Sequence, residues 1–478
     1  MNVKKKGVSF RTGMVVLIII VLAGGGWLFR GELKQLLGKE PDSDIPAALR
    51  DNPIAGEDIE LVVHASSYSN FELQLKKPFI IRHPSVRIRM AKESGGLEND
   101  PEKFMEWMDK EKPDVLQLPI KLYMKLASEG RLKPLAPYMQ GSEFDVEAIH
   151  APLVQLLREA GGGELYGLTP EFRSAALYVN EELFQEHGIP VPEAGIELDE
   201  VLQLAARFKG TGAFGLFADH SNPYSLVKTI GEASGLQALS ASEGQLKATV
   251  QSSAWEGIWQ QVSDGFREEW IAMPKPRGEG SILMKDLAKF DIFAQGEAAM
   301  MIDDDGYYYS NLLIFEKEAK VKLKWSTIPF HITSAANQGK YLTTGTIYAI
   351  NAASSNGRAA WELIRFVNGE EIAKRTDLDP NRGLSVLARR SNMKSQPEEY
   401  WKAFYEMAID APQAIGDLKR KSMGQEAAIE QQLSELASER LKSVIEGAMS
   451  VEEALAELQE AVQTAIDEAK LKGSGEQP

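Results

Sequence analysis

The chain has no cysteine among its 478 residues. That absence excludes disulfides, thiolate metal centres and a cysteine nucleophile, and it removes the lipidated cysteine that anchors a lipoprotein. Positive charge is in deficit: 53 Lys and Arg stand against 69 Asp and Glu, for a formal net charge of -16. Broad nucleic-acid binding needs clustered cations to neutralise phosphates, so that partner class is excluded. Histidine is scarce, and His64, His83, His150, His187, His220 and His331 never fall within one helical turn of each other, so no HExxH-type zinc site exists. A G-x-S-x-G nucleophile elbow and a P-loop are both missing.

Long apolar runs are lacking except for one. Lys4, Lys5, Lys6 and Arg11 precede an apolar stretch from Gly13 to Phe29, interrupted only at Gly24 to Gly26. As a helix it would span roughly 25 Å, slightly short of a hydrocarbon core of ~30 Å. Two readings stay open. An uncleaved anchor would keep residues 1–12 inside the cell and the bulk of the protein outside. Alternatively Met14 to Ala23 is a signal-peptide core, with Val21 and Ala23 at the -3 and -1 positions of a cleavage site. Residues 30–57 are polar and proline-dotted, and read as a linker without a core.

What remains is ordinary globular material, 44% hydrophobic and 26% charged, enough for two or three cores. Ile59 to Val63 reads as a strand, and a loop from His64 to Asn70 leads into a helix through Pro78 to Ile81. Strands at Val86 to Met90 and Asp114 to Leu118, with a helix over Leu122 to Ala127, continue the alternation of a parallel α/β sheet. Leu198 to Lys209 is a helix and Phe214 to Phe217 a strand. Trp255, Ile258, Trp259 and Val262 share one helical face, which assigns both tryptophans to core packing. Ser450 to Glu453 is a capping box ahead of a buried stripe at Leu455, Leu458, Val462 and Ile466.

Two motifs fail on context. Gly210, Gly212 and Gly215 match G-x-G-x-x-G, but a helix precedes them and a strand follows, the reverse of a dinucleotide fingerprint. Asp303, Asp304, Asp305 and Gly306 lack the alternating ligands and distal glutamate of a calcium loop, and read as an acidic turn ending a strand.

The segment Gly162 to Pro192 is the most informative. Tyr166-Gly167-Leu168 approaches a break at Thr169, Pro170 and Glu171. Ala176-Leu177-Tyr178-Val179-Asn180 is an apolar strand, and a short helix from Glu181 to His187 is stopped by Gly188 and Pro190. This pattern resembles bacterial extracellular solute-binding proteins of carbohydrate ABC importers, where the chain first crosses between lobes. Two further segments resemble the same family. Ala294 to Leu313 carries a G-x-A-A-M strand followed by an aromatic-bearing turn, and Thr343 to Val367 carries a glycine-containing crossing, a strand and a helix from about Gly357. A third crossing is expected at Gly383-Leu384-Ser385-Val386, where serine replaces the family's proline.

The resemblance covers about Glu57 to Lys470. It implies an α/β, two-lobed periplasmic-binding-protein-like fold with three interlobe crossings; in the anchor reading of the apolar run, one N-terminal transmembrane helix over 13–29 precedes it. Lobe 1 is expected from 58–168 and 346–382, lobe 2 from 169–345 and 383–470, with a flexible tail at 471–478. The implied protein is a monomer, not an enzyme, without cofactor or metal. It would capture a carbohydrate, an oligosaccharide, by hinge closure and deliver it to ABC importer permease subunits. A ligand-sensing or scaffold module uncoupled from transport is the alternative. The family pattern places ligand contacts at Ser66, Ser67, Tyr68, Gln117, Phe172, Arg173, Asp304, Tyr307, Thr344 and Gly345. Arg173 stands where maltodextrin-binding relatives place a carboxylate, and Tyr307 where relatives often have a sugar-stacking tryptophan. A glycosidase would instead draw on Glu171 and the Asp303 to Asp305 run.

Overall fold

The computed structural model describes residue 54 and residues 58–474, apart from 66, 141, 219–221, 243–244, 274, 276–281, 333–340, 380–385 and 422–423. The 13–29 segment, nearly all of the linker, Ser66, the Gly383-Leu384-Ser385 part of the third crossing and the last four residues therefore lie outside it. In chain order the strands are β1 (Ile59–Val63), β2 (Val86–Met90), β3 (Val115–Leu118), β4 (Gly167–Leu168), β5 (Glu171–Ser174), β6 (Ala176–Asn180), β7 (Ile196–Glu197), β8 (Phe214–Phe217) and β9 (Leu239–Ser242). They continue with β10 (Gln245–Ala248), β11 (Ile271–Ala272), β12 (Ala298–Asp303), β13 (Trp325–Ile328), β14 (Phe330–His331), β15 (Leu342–Thr344), β16 (Ile347–Ile350) and β17 (Val386–Leu387).

Two five-stranded sheets dominate. The first has the order β2-β1-β3-β16-β4 and the second β11-β8-β12-β6-β13. In the first, β1 pairs in parallel with both β2 and β3, while β16 returns antiparallel against β3 and β4. In the second, β12 runs parallel to β8 and antiparallel to β6. A small sheet, β15-β5-β17, stands apart from both, with β5 at its centre and both neighbours antiparallel.

Strand alternation distributes the core. Successive side chains of a strand point to opposite faces. In β6, Ala176 and Tyr178 join a core that includes the first sheet, whereas Leu177 and Val179 join the other. That second core is filled by helices Leu198–Ala206, Pro223–Ala233, Ser253–Arg267, Gly424–Ile445 and Val451–Ser474. Trp255 and Trp259 are buried within it, as helical periodicity requires. The Ser450 and Glu453 side chains exchange the expected capping bonds, and Leu455, Leu458, Val462 and Ile466 are all buried. Asn180 caps helix Glu181–Glu186 through Oδ1 to the Leu183 N–H, and Gly188 adopts a φ of +64° just past its end.

Three expectations need correction. The linker is not coreless: Ile54 is fully buried in the first core, and its carbonyl accepts a hydrogen bond from Ser85 Oγ at 3.3 Å. Ile54 and Ala55, the two residues between Pro53 and Gly56, are too few to show a periodicity by which sequence could reveal the buried one. Helix Ala411–Lys421, placed by sequence with the second lobe, packs on helix Ala151–Ala160 beside the first sheet. The stretch from Glu171 to Ser174, read only as the far side of a break, is a strand.

Candidate functional site

The parallel strands β1, β2 and β3 end on one edge, where ligands of open α/β sheets are received. Ser67 has an extended backbone there and precedes the helix that opens at Tyr68. The Tyr68 hydroxyl donates to the Ala91 carbonyl just beyond β2. Burial, then Glu93 and Glu111, push the Tyr68 phenol above its ordinary pKa. Gln117 and Tyr348 face each other across the β3–β16 register, and Gln117 Nε2 donates at 3.2 Å to the Tyr348 hydroxyl. Gln117 is only 5% exposed.

Behind this edge lies a cluster that sequence reading did not find. His64 Nε2 sits 3.0 Å from Glu98 Oε1 and 3.4 Å from Ser94 Oγ. Burial depresses the His64 pKa, against the opposing pull of Glu98. Serine and carboxylate meet the same ring nitrogen, whereas a hydrolytic triad needs them on opposite nitrogens. The cluster therefore fastens the loop after β2 and is not arranged for proton relay. Its three residues are separated in sequence by ordinary loop composition, so no motif signals it.

The second group is built around β5. Alternation along Glu171–Ser174 buries Phe172 and Ser174 and leaves Glu171 and Arg173 half-exposed on the other face. Phe172 has no exposed surface; its ring stacks on His150 at 5.1 Å and meets Tyr405 edge-on at 5.2 Å. Burial holds the His150 pKa down to about 4. Phe172 is thus part of the packing between the central small sheet and its surroundings, and offers no face to a ligand. Thr344 pairs with Phe172 in the β15–β5 ladder and is 8% exposed. Gly345 donates its N–H to the Glu171 carbonyl at 2.9 Å, and a Cβ on it would lie 2.8 Å from that oxygen.

Arg173 projects to the turn after β12. Asp303 Oδ1 accepts the N–H groups of Asp305 at 3.2 Å and Gly306 at 2.8 Å. Its Oδ2 accepts the Tyr308 N–H at 3.1 Å and the Tyr178 hydroxyl at 3.2 Å. One buried carboxylate thereby shapes the whole turn. Burial, then the neighbouring Asp305 charge, raise the Asp303 pKa well above the usual carboxylate range. Asp305 Oδ1 takes the Tyr307 N–H at 3.0 Å, while Asp304 turns away and accepts Thr229 Oγ1 at 2.5 Å. Tyr307 is left 42% exposed, and the Arg173 guanidinium carbon lies 3.9 Å from its ring centroid. Gly306, at a φ of +75°, lets the turn close on β5: a Cβ there would meet Arg173 Cβ and the Ser174 backbone N and O at 2.8 Å each.

The structure therefore gathers Ser67, Tyr68 and Gln117 at one sheet edge, and Arg173, Tyr307, Thr344 and Gly345 around β5. Asp304 faces a water-sized cavity of about 20 Å³ with Asn222, Ser225 and Thr229. Ser66 lies outside the described residues. Asp303, with both oxygens committed to the turn, has no free reach for acid–base chemistry on a sugar. Among the described residues no group of three or more His, Asp or Glu is placed to hold a metal. A larger cavity of about 660 Å³, lined by Arg82, Phe144, Glu362, Lys374 and Arg389 among others, contains none of the sequence-predicted residues.

The profile of the family described as bacterial extracellular solute-binding protein matches residues 107–374. An extracellular solute-binding protein family 1 member from Alicyclobacillus acidocaldarius superposes with a TM-score of 0.60 at 14% identity, covering 86% of this chain and 99% of that one. The GacH receptor of Streptomyces glaucescens, solved unliganded and with acarbose, gives 0.51 at 20% identity, covering 86% and 99%. An ABC substrate-binding protein from Listeria monocytogenes in complex with cycloalternan gives 0.51 at 15% identity, covering 88% and 100%. These likenesses establish the two-lobed α/β architecture, and the profile match, which spans more than half of the sequence, establishes the ancestry: the chain belongs to the bacterial extracellular solute-binding protein family.

Proposed function

We propose that this protein captures a carbohydrate of oligosaccharide size between its two lobes and presents it to the permease subunits of an ABC importer. The observation that carries the reading is the turn at Asp303 to Tyr307, which holds a half-exposed aromatic ring beside the strand linking the two large sheets. Sugars offer apolar C–H faces to such a ring, and hydroxyls that need partners once desolvated. Ser67, Tyr68 and Gln117 supply polar groups from one lobe, and Arg173, Tyr307, Thr344 and Gly345 from the other side of the hinge. Solved structures of similar fold hold acarbose and cycloalternan, which supports the ligand class.

In this reading β15, β5 and β17 are where three crossings run between lobes with the boundaries given above, except that Ile54 and helix Ala411–Lys421 go with the first lobe. Ligand contacts both lobes only in the closed form, so binding energy shifts the population toward closure. The 13–29 segment holds the protein at the membrane with its binding domain outside, and the protein works as a monomer. Among the described residues no helix is long and apolar enough to cross a membrane. Isothermal titration against a panel of oligosaccharides tests the proposal. At least one should bind, and Tyr307→Ala should weaken it by about ten-fold, the scale of one lost stacking contact. Unchanged affinity in the variant removes Tyr307 from the site, and absence of binding across the panel refutes sugar capture.

A further inference from the structure

Arg173 is the half-buried cation of the proposed site, and among the described residues no hydrogen bond or ion pair reaches its guanidinium. Its one close side-chain partner is the Tyr307 ring at 3.9 Å. The nearby carboxylates take other hydrogen bonds: Asp303 from three turn N–H groups and the Tyr178 hydroxyl, Asp304 from Thr229 and Asp305 from the Tyr307 N–H. Asp303 and Asp305 act on Arg173 only at longer range, against the burial that lowers its pKa. The guanidinium is also fixed in place. The Tyr307 ring covers one face, and the left-handed Gly306 brings the turn against Arg173 Cβ.

A guanidinium is planar and carries its N–H donors in that plane, the geometry that recognises an oxyanion through two parallel bonds. Closing the hinge would withdraw this charge further from water. A cation drawn out of water with carboxylates acting on it only at longer range is disfavoured, and a neutral hydroxyl supplies no direct counter-charge. A ligand oxyanion supplies it.

We propose that Arg173 selects a saccharide bearing an oxyanion, either a uronate carboxylate or a sugar phosphate, over the neutral saccharide of the same size. This inference rests on the sugar-capture reading and narrows it.

The test is titration of the full-length protein with a uronate trisaccharide, the neutral trisaccharide of the same linkage and glucose 1-phosphate, for wild type, Arg173→Gln and Arg173→Lys. Wild type should prefer an anionic ligand by about ten-fold or more, the scale of one charge-assisted bidentate pair. The preference should shrink as salt rises. Arg173→Gln should abolish the preference for the anion, and Arg173→Lys, charged but not planar, should retain part of it. Whichever anion binds tighter identifies the source. Equal or tighter wild-type binding of the neutral trisaccharide overturns the inference and leaves sugar capture standing. A preference that persists in Arg173→Gln, or in Arg173→Lys should the Gln variant not fold, with no loss relative to wild type, overturns the role of Arg173. Failure of every saccharide to bind folded wild-type protein overturns both.

Discussion

Gly306→Ala isolates the close approach between the acidic turn and β5. Two penalties combine at this position. The backbone φ of +75° lies in the left-handed region, where a Cβ adds about 1–2 kcal/mol. The new methyl would also stand 2.8 Å from Arg173 Cβ and from the Ser174 backbone N and O. Backbone atoms inside a ladder cannot rotate aside, so relief requires the turn or β5 to shift, at about 1–3 kcal/mol for such overpacking. The sum is about 2–5 kcal/mol. Gly212→Ala is the matched control: its φ is +92°, yet nothing lies within 4 Å of the point its methyl would occupy, so only the conformational part applies. Urea denaturation followed by fluorescence should therefore show Gly306→Ala less stable than Gly212→Ala by about 1–3 kcal/mol, with similar m-values. Saccharide affinity should fall in the first variant and hold in the second, because Tyr307 moves with the turn. Equal stability of the two variants would refute the close packing of turn against strand.

Two other predictions concern separate parts of the molecule. His150 has a native pKa held near 4, below its ordinary 6.5, so the unfolded chain takes up a proton that the folded chain refuses. Stability then falls as pH drops from about 6.5 towards about 4 and levels off beneath that, and His150→Gln should flatten this limb of a urea-midpoint versus pH curve. An unchanged slope would place His150 in water rather than against Phe172. At the N-terminus, mass spectrometry of protein from membranes should find residues 13–29 retained, and a chain beginning at Gly24 would dismiss the anchor.

Much of the fold was legible because it follows local rules. The Ala176–Asn180 strand, its Asn180-capped helix and the stop at Gly188 are each specified by neighbouring residues. The tryptophan face of helix Ser253–Arg267 and the Ser450 capping box follow from helical spacing. The site was legible only in outline. The resemblance located the turn and the crossing, but it placed Phe172 and Arg173 together as ligand contacts. In a strand two successive side chains cannot share a face, and recognising β5 would have separated them. Four residues of sequence Glu-Phe-Arg-Ser after a proline carry little strand signal of their own. The His64–Ser94–Glu98 cluster was invisible for a similar reason: it joins loops from the ends of two different strands.

The sequence alone determined the alternating α/β elements, the absence of thiol chemistry and of an HExxH-type zinc motif, and the family pattern at the hinge, since each depends on composition or near-neighbour spacing. Tertiary structure decided which side of β5 is buried and which residues meet across it. That choice belongs to His150 and Tyr405, brought from other parts of the chain to cover the Phe172 ring. It leaves Arg173 on the opposite face, where the Asp303 turn brings Tyr307 against it.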